Sequence, residues 1–362
     1  MSQQWHNKSN SIHHKTTNIM ASVTINGVFF TYPDDPCPVF NPAIVSVGHQ
    51  VARVRVTVNG KAVTYQAYGG DCTIDISSML QVEFDNLQLG GALQPGMNEL
   101  GKSVATSIEA LDHDGTVLAQ LNASIFCVWA ALAPGEMYEN PYRHTMHLYY
   151  DYMVGLYFSE AEDVDEYIVN TIGGRTLVNT HEVDEQGVWN FAASPTAAGQ
   201  RVIFTKHNAP SVVYAEVTVK EYREGIYLRW IDRHGFWRWW LFKAGDPQRN
   251  VASAYGAFDR IDIEKYNAYG HAWVGTSGRR QNLTRNDIIP LCAPLVDQST
   301  FDMLQDLTTS PCVEMVIGQN EQSNDIWSPV TIQPGQYTKD VNKPEQDFVC
   351  NLVLPEIPIQ QL

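Results

Sequence analysis

The sequence predicts a mainly β protein, built from β-sandwich domains with a few short helices. Three observations predict this class. Short runs that alternate apolar and polar residues recur between turn residues, aromatic residues make up 11% of the chain, and helical periodicity is limited to short segments. With 362 residues, 44% hydrophobic and 18% charged, the chain is long enough for two or three globular domains.

Composition and turn signals divide the chain into five parts. Residues 1–21 are polar and are expected to form a flexible arm, and residues 22–132 are expected to form an N-terminal β-sandwich. Residues 133–195 are interpreted as a connecting β segment, and residues 196–354 as a C-terminal β-rich domain. Residues 355–362 are punctuated by proline and should form an extended tail.

The first domain contains two hairpin signals and one helix signal. Ala52–Val58 alternates Arg or Thr with Val, and Asn59-Gly60 then supplies a hairpin turn. A second hairpin is expected around the turn Asp112–Gly115. A short helix is predicted at Ile76–Phe84, with Ser77 as its N-cap.

The rest of the chain is also rich in strand signals. The acidic run Glu160–Glu166 is interpreted as a solvated loop or a helix start. Leu283–Val313 is expected to be partly helical, because Phe301, Leu304 and Leu307 recur at helical spacing. Further strands are predicted at Val313–Ile317, Trp327–Ile332 and Asp347–Leu354.

The most unusual segment is Ile226–Lys243, in which two apolar runs flank the turn Asp232–Gly235. The second run carries bulky aromatic residues on both faces of the expected strand. Such a strand either lies inside a sandwich core or meets a partner, and both interpretations remain open. As interface candidates we select Trp5 in the N-terminal arm and, in the hairpin, Arg229, Trp230, Phe236, Trp237, Arg238, Trp239, Trp240 and Phe242.

Charge and cysteine content restrict the classes of partner. The formal net charge of −16 argues against nucleic-acid binding, which requires clustered Lys and Arg. The N-terminus lacks the apolar centre of a secretion signal, and no apolar stretch is long enough to span a bilayer. None of the six Cys forms a C-x-x-C pair, so we expect reduced thiols and folding in a cytoplasm.

No motif predicts catalysis, a cofactor or a metal. The sequence has no G-x-S-x-G, P-loop or H-E-x-x-H pattern. His144 and His147 stand three residues apart, but no third ligand follows at a useful spacing. A glycosidase-like pair of carboxylates remains an alternative that the sequence cannot locate. We therefore predict that the protein is not an enzyme.

Several segments occur in order along residues 22–354, and they are Phe30-Thr31-Tyr32-Pro33-Asp34, Phe40-Asn41-Pro42, Asp75–Gln81, Ile226–Phe242, Leu304–Val313 and Trp327-Ser328-Pro329-Val330. Together these segments resemble tail- and baseplate-associated virion structural proteins of Bacteroidetes phages and prophages. The resemblance implies a structural role in the tail or baseplate, similar to that of distal tail proteins. Its motifs are structural and carry no catalytic residues.

Three functions follow as alternatives. The first is a virion ring or adaptor protein, which would form a cyclic homo-oligomer, as a hexamer or trimer, and contact other tail or baseplate proteins. The second is a glycan-binding module of a receptor-binding device, with a host surface glycan as its partner. The third is a glycan hydrolase. We expect the first, with the protein located in the virion after assembly in the host cytoplasm.

Overall fold

The computed structural model describes residues 28–32, 35–48, 51–68, 72–90, 93–133, 142–170, 172–193, 195–221, 225–253, 257–268, 271–280 and 283–355, with only the backbone path for 257–268 and 271–280. Trp5 and the whole predicted arm at residues 1–21 lie outside the described residues. So do residues 356–362 of the predicted tail.

The chain is mainly β, with two short α-helices. The first half contains β1 (Val28–Phe30), β2 (Cys37–Pro38), β3 (Ile44–Val47), β4 (Arg53–Val58), β5 (Lys61–Gln66), β6 (Cys72–Asp75), α1 (Ser77–Gln81), a 3-10 turn (Val82–Phe84), β7 (Gly96–Met97), β8 (Gly101–Leu111), β9 (Val117–Val128), β10 (Tyr142–His147), β11 (Met153–Phe158), β12 (Glu162–Val169) and β13 (Arg175–Val183).

The second half is also built mostly of strands. It contains β14 (Gly187–Ala192), β15 (Arg201–Lys206), β16 (Ala209–Lys220), β17 (Gly225–Ile231), β18 (Trp237–Ala244), β19 (Gln248–Ser253), β20 (Ala257–Ala268), β21 (His271–Arg280), β22 (Leu283–Asp297), α2 (Gln298–Asp306), β23 (Val313–Gln319), β24 (Asp325–Pro329), β25 (Thr331–Ile332) and β26 (Glu345–Val353).

The chain divides into two compact units that are interleaved in sequence. Unit one comprises residues 1–83 and 103–127, and unit two comprises residues 84–102 and 128–362. Unit two therefore takes a segment from within the predicted domain 22–132. It also joins the predicted connecting segment 133–195 to the predicted C-terminal domain.

Unit one is a β-sandwich of a three-stranded and a five-stranded sheet. The strand orders are β1-β3-β6 and β2-β9-β8-β4-β5. In β4 the predicted alternation is confirmed, because Val54, Val56 and Val58 are buried and their neighbours are more exposed. Asn59 and Gly60 both have positive φ and join β4 to β5, so the predicted hairpin turn is confirmed as well.

Unit two contains three connected sheets around one core. Their orders are β10-β16-β15-β12-β13, β11-β14-β7 and β24-β23-β17-β18-β22-β26-β25, with β19 paired to β22. Strand β18 contacts both β10 and β11, which brings the three sheets together. Helix α2 packs on this core, and the predicted stripe of Phe301, Leu304 and Leu307 is confirmed as buried.

Leu283–Val313 is partly helical, as predicted, because α2 follows the strand β22 there. Two other local predictions are wrong. Ser77 does not cap α1, because the helix begins at Ser77 and the carboxylate of Asp75 accepts its backbone N–H. The acidic run Glu160–Glu166 leads into β12, because basic side chains on adjacent strands neutralise its carboxylates.

A two-stranded ribbon is the least expected element. Strand β19 pairs with the first part of β22, from Gln248 opposite Ile288 to Ser253 opposite Leu283. Strands β20 and β21 then pair with each other in a sheet of two strands. Within the described residues these two strands contact each other extensively. The stretch between β18 and β20 thus includes a strand, β19.

All six cysteines are free thiols, and Cys37, Cys127 and Cys350 are buried. Burial raises the pKa of the Cys350 thiol to about 12, which keeps it protonated and unreactive. Within the described part of the chain, no helix has both the length and the apolar character needed to cross a membrane.

Candidate functional site

The aromatic hairpin β17–β18 lies inside unit two. All eight of the described interface candidates, from Arg229 to Phe242, are at most 7% exposed. Tyr152 contacts Trp239, with ring centroids 5.2 Å apart, and His144 contacts the guanidinium of Arg238. Residues of the same unit therefore cover both faces of the hairpin. The prediction that these side chains form an interface is therefore corrected. They belong to the core, which was the alternative interpretation.

The hairpin turn is organised by a buried ion pair. Asp232 accepts the backbone N–H groups of His234 and Phe236 at 2.9 Å, and its second oxygen accepts Nε of Arg238 at 2.6 Å. Gly235 has a φ of +75° and lies against the backbone of Trp129, so only glycine fits there. The predicted turn Asp232–Gly235 is confirmed. The carboxylate of Asp232 connects this turn to the following strand through Arg238.

Burial and charge set the protonation states around this turn. Burial alone would raise the pKa of Asp232, but the charge of Arg238 lowers it below its ordinary value. Burial and the same guanidinium hold the pKa of His144 well below its ordinary range. His144 is therefore neutral, and its Nε2 accepts a hydrogen bond from Arg238 at 3.3 Å. This cluster is closed to solvent and is suited to holding the hairpin together.

A second ion pair fixes the other end of the aromatic cluster. Arg229 donates to Glu314 at 2.7 Å, and its guanidinium lies 4.2 Å from the ring centroid of Trp327 and 5.0 Å from that of Trp237. Burial lowers the pKa of Arg229, while the Glu314 carboxylate opposes that change. The guanidinium thus holds both indole rings in place.

A cleft of about 260 Å³ opens beside Trp237. The segment that precedes and includes β7 forms most of its wall, and Trp237 and Asn190 complete it. The other lining residues are Leu87, Gln88, Leu89, Gly90, Leu93, Gln94, Met97, Asn98, Glu99 and Leu100. Trp237 and Leu100 are buried, whereas Gln88, Gln94, Met97 and Glu99 are exposed, so the cleft has a buried floor and a solvent-facing rim.

Two amide groups of this cleft have unsatisfied atoms. Asn190 on β14 is 4% exposed, and its Oδ1 has no hydrogen-bond partner. The Nδ2 of Asn98 is also buried without a partner, while its Oδ1 accepts the N–H of Leu100 at 2.9 Å. Strand pairing places the two residues diagonally, because Asn190 pairs with Gly96 and the N–H of Asn98 donates to Val188. Asn98 and Asn190 thus both line the cleft, and each has one buried atom without a hydrogen-bond partner.

A second polar cluster lies on β12. Asp165 is 3% exposed and accepts hydrogen bonds from Thr180 at 2.7 Å and His207 at 2.8 Å. The hydrogen bond and charge of Asp165 raise the pKa of His207. Glu162 binds Lys206 at 2.7 Å, and Glu166 lies 3.2 Å from His181. These pairs account for the acidic sequence of a strand that is largely buried.

Metal binding finds no support in the described ranges, since they hold no group of three or more His, Cys, Asp or Glu side chains suited to an ion. His144 and His147 both belong to β10 and stand three apart, so they point to opposite faces of a strand rather than sharing a helical face. His147 instead contacts Tyr150, with ring centroids 4.6 Å apart.

Sequence reasoning singled out Trp237 but missed the cleft that it helps to form. The lining residues come from three separate parts of the chain, and Asn98 and Asn190 belong to strands whose pairing no short-range pattern reveals. The sequence feature that comes nearest to indicating the cleft is the glycine-rich stretch before β7. That signal indicates a turn but does not indicate a binding surface.

Comparisons with known proteins were made for the whole chain. No protein-family model matches it, and no curated protein matches it. Among solved structures, fibronectin(III)-like modules of CbhA from Clostridium thermocellum are similar at 10% sequence identity, covering 54% of this chain and 94% of that chain, with a TM-score of 0.18.

Proposed function

We propose that this chain is a structural component of a phage virion, a tail or baseplate protein that assembles with copies of itself and with neighbouring virion proteins. The observation that carries the proposal is the ribbon β20–β21. Its 12-residue and 10-residue strands pair with each other in a sheet of two strands within the described part of the chain. Resemblance of the hairpin Ile226–Phe242 to tail proteins supplies the virion context.

A two-stranded ribbon of this kind calls for a partner. An isolated pair of strands is marginally stable in water, because it cannot bury enough apolar surface. The ribbon sequence carries large apolar residues, among them Phe258, Ile263, Tyr266 and Trp273. Tyr266 and Trp273 are register partners across the ribbon. A neighbouring subunit that covers one face would supply the missing burial.

An exposed sheet edge in the same unit offers a matching surface. Strand β13 is the edge of its five-stranded sheet, and residues 175–180 of it are exposed. Leu177 is 49% exposed and Val178 is 43% exposed. An edge strand with exposed apolar residues can pair with a strand from another chain. In the proposed ring, the ribbon of one copy lies along β13 of the next, which closes a cyclic hexamer or trimer.

A ribbon deletion tests this proposal. Because Ser253 and Leu283 are register partners, residues 254–282 can be replaced by Asn-Gly, which forms a two-residue hairpin turn. We expect this variant to keep the circular dichroism and melting temperature of the full chain. We also expect the full chain to form rings in electron micrographs, and the deletion variant to lack them and to scatter light as a monomer.

A matched control changes another exposed turn and leaves the ribbon intact. Replacement of Asp114-Gly115 in unit one by Asn-Gly should leave ring formation unchanged. The proposal is wrong if the full chain is a monomer at high concentration and is absent from assembled phage particles. It is also wrong if the ribbon deletion assembles as well as the full chain does.

A further inference from the structure

We propose that the cleft between β7, β14 and Trp237 binds a neutral saccharide, one sugar residue at a time, through Asn98 and Asn190. This inference goes beyond the assembly role and does not depend on it, because the cleft and the ribbon share no residue. The observation behind it is the pair of unsatisfied amide atoms on the wall of one cleft.

The fold makes room for the Asn190 amide. On the two neighbouring strands its register partners are both glycine, Gly155 on β11 and Gly96 on β7. A methyl group at Gly155 would lie 3.6 Å from Asn190 Oδ1 and 3.3 Å from Cβ of Phe236. A buried amide oxygen without a partner destabilises a fold. Its retention beside an open cleft is accounted for by a ligand that completes its hydrogen bonds.

Hydroxyl groups fit this pair of amides best. The Asn98 nitrogen is a donor, because the oxygen of that amide already accepts the Leu100 N–H, and the Asn190 oxygen is an acceptor. A hydroxyl group both donates and accepts, and can therefore satisfy either amide. Adjacent hydroxyls of a sugar ring can reach Asn190 and Asn98 together. Gln88 and Gln94 on the rim extend the same amide chemistry towards solvent.

The charge and size of the cleft further restrict the class of ligand that it can bind. Among the described lining residues Glu99 is the single charged side chain, and no Lys or Arg is present to hold a phosphate, sulfate or carboxylate. A volume of about 260 Å³ is below the common range for drug-sized ligands and suits one sugar residue. Leu87, Leu93 and Trp237 supply apolar surface for the C–H face of the ring.

The wall of the cleft is held rigid by the ion pair described above. Arg229 fixes the ring of Trp237, and its partner Glu314 packs against Gly90, where an added methyl group would lie 2.6 Å from Oε1. A wall that is fixed before binding loses little conformational freedom when a ligand arrives. The Arg229–Glu314 pair therefore acts as a positioning device for the cleft.

The test uses the full chain with glucose, galactose, mannose and N-acetylglucosamine as separate probes. Saturation-transfer NMR should detect binding of at least one sugar at millimolar concentration. Asn190→Leu removes the amide and should weaken that binding about tenfold or more without lowering the melting temperature. Asn98→Asp keeps the oxygen that accepts the Leu100 N–H but removes the donor, and should weaken binding similarly.

Asn342→Leu is the matched control, because Asn342 is exposed in the turn before β26 of the same unit. This variant should bind sugar as the full chain does. The proposal is overturned if the folded full chain binds none of the four sugars. Undiminished binding by both cleft variants would overturn it as well. If Asn190→Leu does not fold, Asn98→Asp alone decides the outcome.

Discussion

Individual side chains in the aromatic hairpin serve the stability of unit two. Asp232 and Arg238 are both fully buried and lie 2.6 Å apart. Such a pair contributes little net stability, because both ions lose their hydration, but removal of one partner leaves a charge without compensation. The loss of one partner should therefore lower the stability of unit two itself, which is the effect expected of a structural ion pair and not of an interface residue.

Asp232→Asn should lower the free energy of unfolding by about 3–5 kcal/mol, since the buried guanidinium of Arg238 loses its counter-charge. The amide oxygen still accepts the N–H groups of His234 and Phe236. Adding Arg238→Met should recover at least about 1 kcal/mol, because the charge itself is then gone. Urea denaturation measures all three proteins. A double variant less stable than Asp232→Asn would contradict the assignment.

At this scale the sequence identified Trp237 and the turn Asp232–Gly235, because local spacing and turn chemistry determine them. It could not decide between core and interface for the hairpin. That choice depends on which distant strands cover each face, here β10 and β11. Asn98 and Asn190 carried no local signal, since their unsatisfied amide atoms depend on the pairing of β7 with β14.

Among the elements, β12 shows how tertiary pairing can override composition. Glu160–Glu166 reads as solvated, yet Asp165 and Glu166 are buried in a central strand. Their partners lie on other parts of the chain: His207, directly after β15, binds Asp165, and His181 on β13 contacts Glu166. No sequence pattern within β12 could have predicted those partners. Elements fixed by local signals, such as β4 and α2, were predicted correctly.

The pair Asp165–His207 should make the stability of its sheet depend on pH. Its hydrogen bond raises the pKa of His207 above the ordinary value of 6.5, so the stabilisation is present below pH 6.5 and is lost as pH rises through the raised pKa. Burial would raise the pKa of Asp165, but His207 and Thr180 lower it, so this carboxylate stays ionised across that window.

We therefore expect His207→Gln to destabilise the protein more at pH 5.5 than at pH 9, as measured by urea denaturation at both values. In the Asp165→Asn background, the effect of the same substitution should no longer depend on pH in this window. Equal destabilisation at both pH values in the otherwise unchanged chain would contradict the prediction.

The whole molecule is organised as two interleaved units, which the sequence did not predict. Turn signals placed the first boundary near residue 132, close to the point where the chain enters unit two for the second time. In its described part, the earlier excursion of residues 84–102 holds the two-residue strand β7 and the first two residues of β8, and its sequence has no periodicity. Leu100 from this excursion is nevertheless part of the core of unit two.

Unit two should fold without unit one if the excursion is kept. The N–H of Trp129 donates to the carbonyl of Leu100 at 2.8 Å, so a short Gly-Ser linker can join residues 84–102 directly to 128–362. We expect this protein to unfold cooperatively on heating. The fragment 128–362 alone lacks β7 and the buried Leu100, and its free energy of unfolding should be lower by more than about 3 kcal/mol. Equal stability of the two proteins would contradict this prediction.

The interleaving of the two units also determines when contacts can form during synthesis at the ribosome. Gly90 packs against Glu314, which is added about 220 residues later. At roughly 5–20 residues per second, that contact has to wait roughly 10–45 seconds. Strands β8 and β9 emerge soon after the excursion and complete unit one at once. The excursion can therefore pair with β14 once residues 187–192 have been made, but its contact with Glu314 forms only when most of the chain has been synthesised.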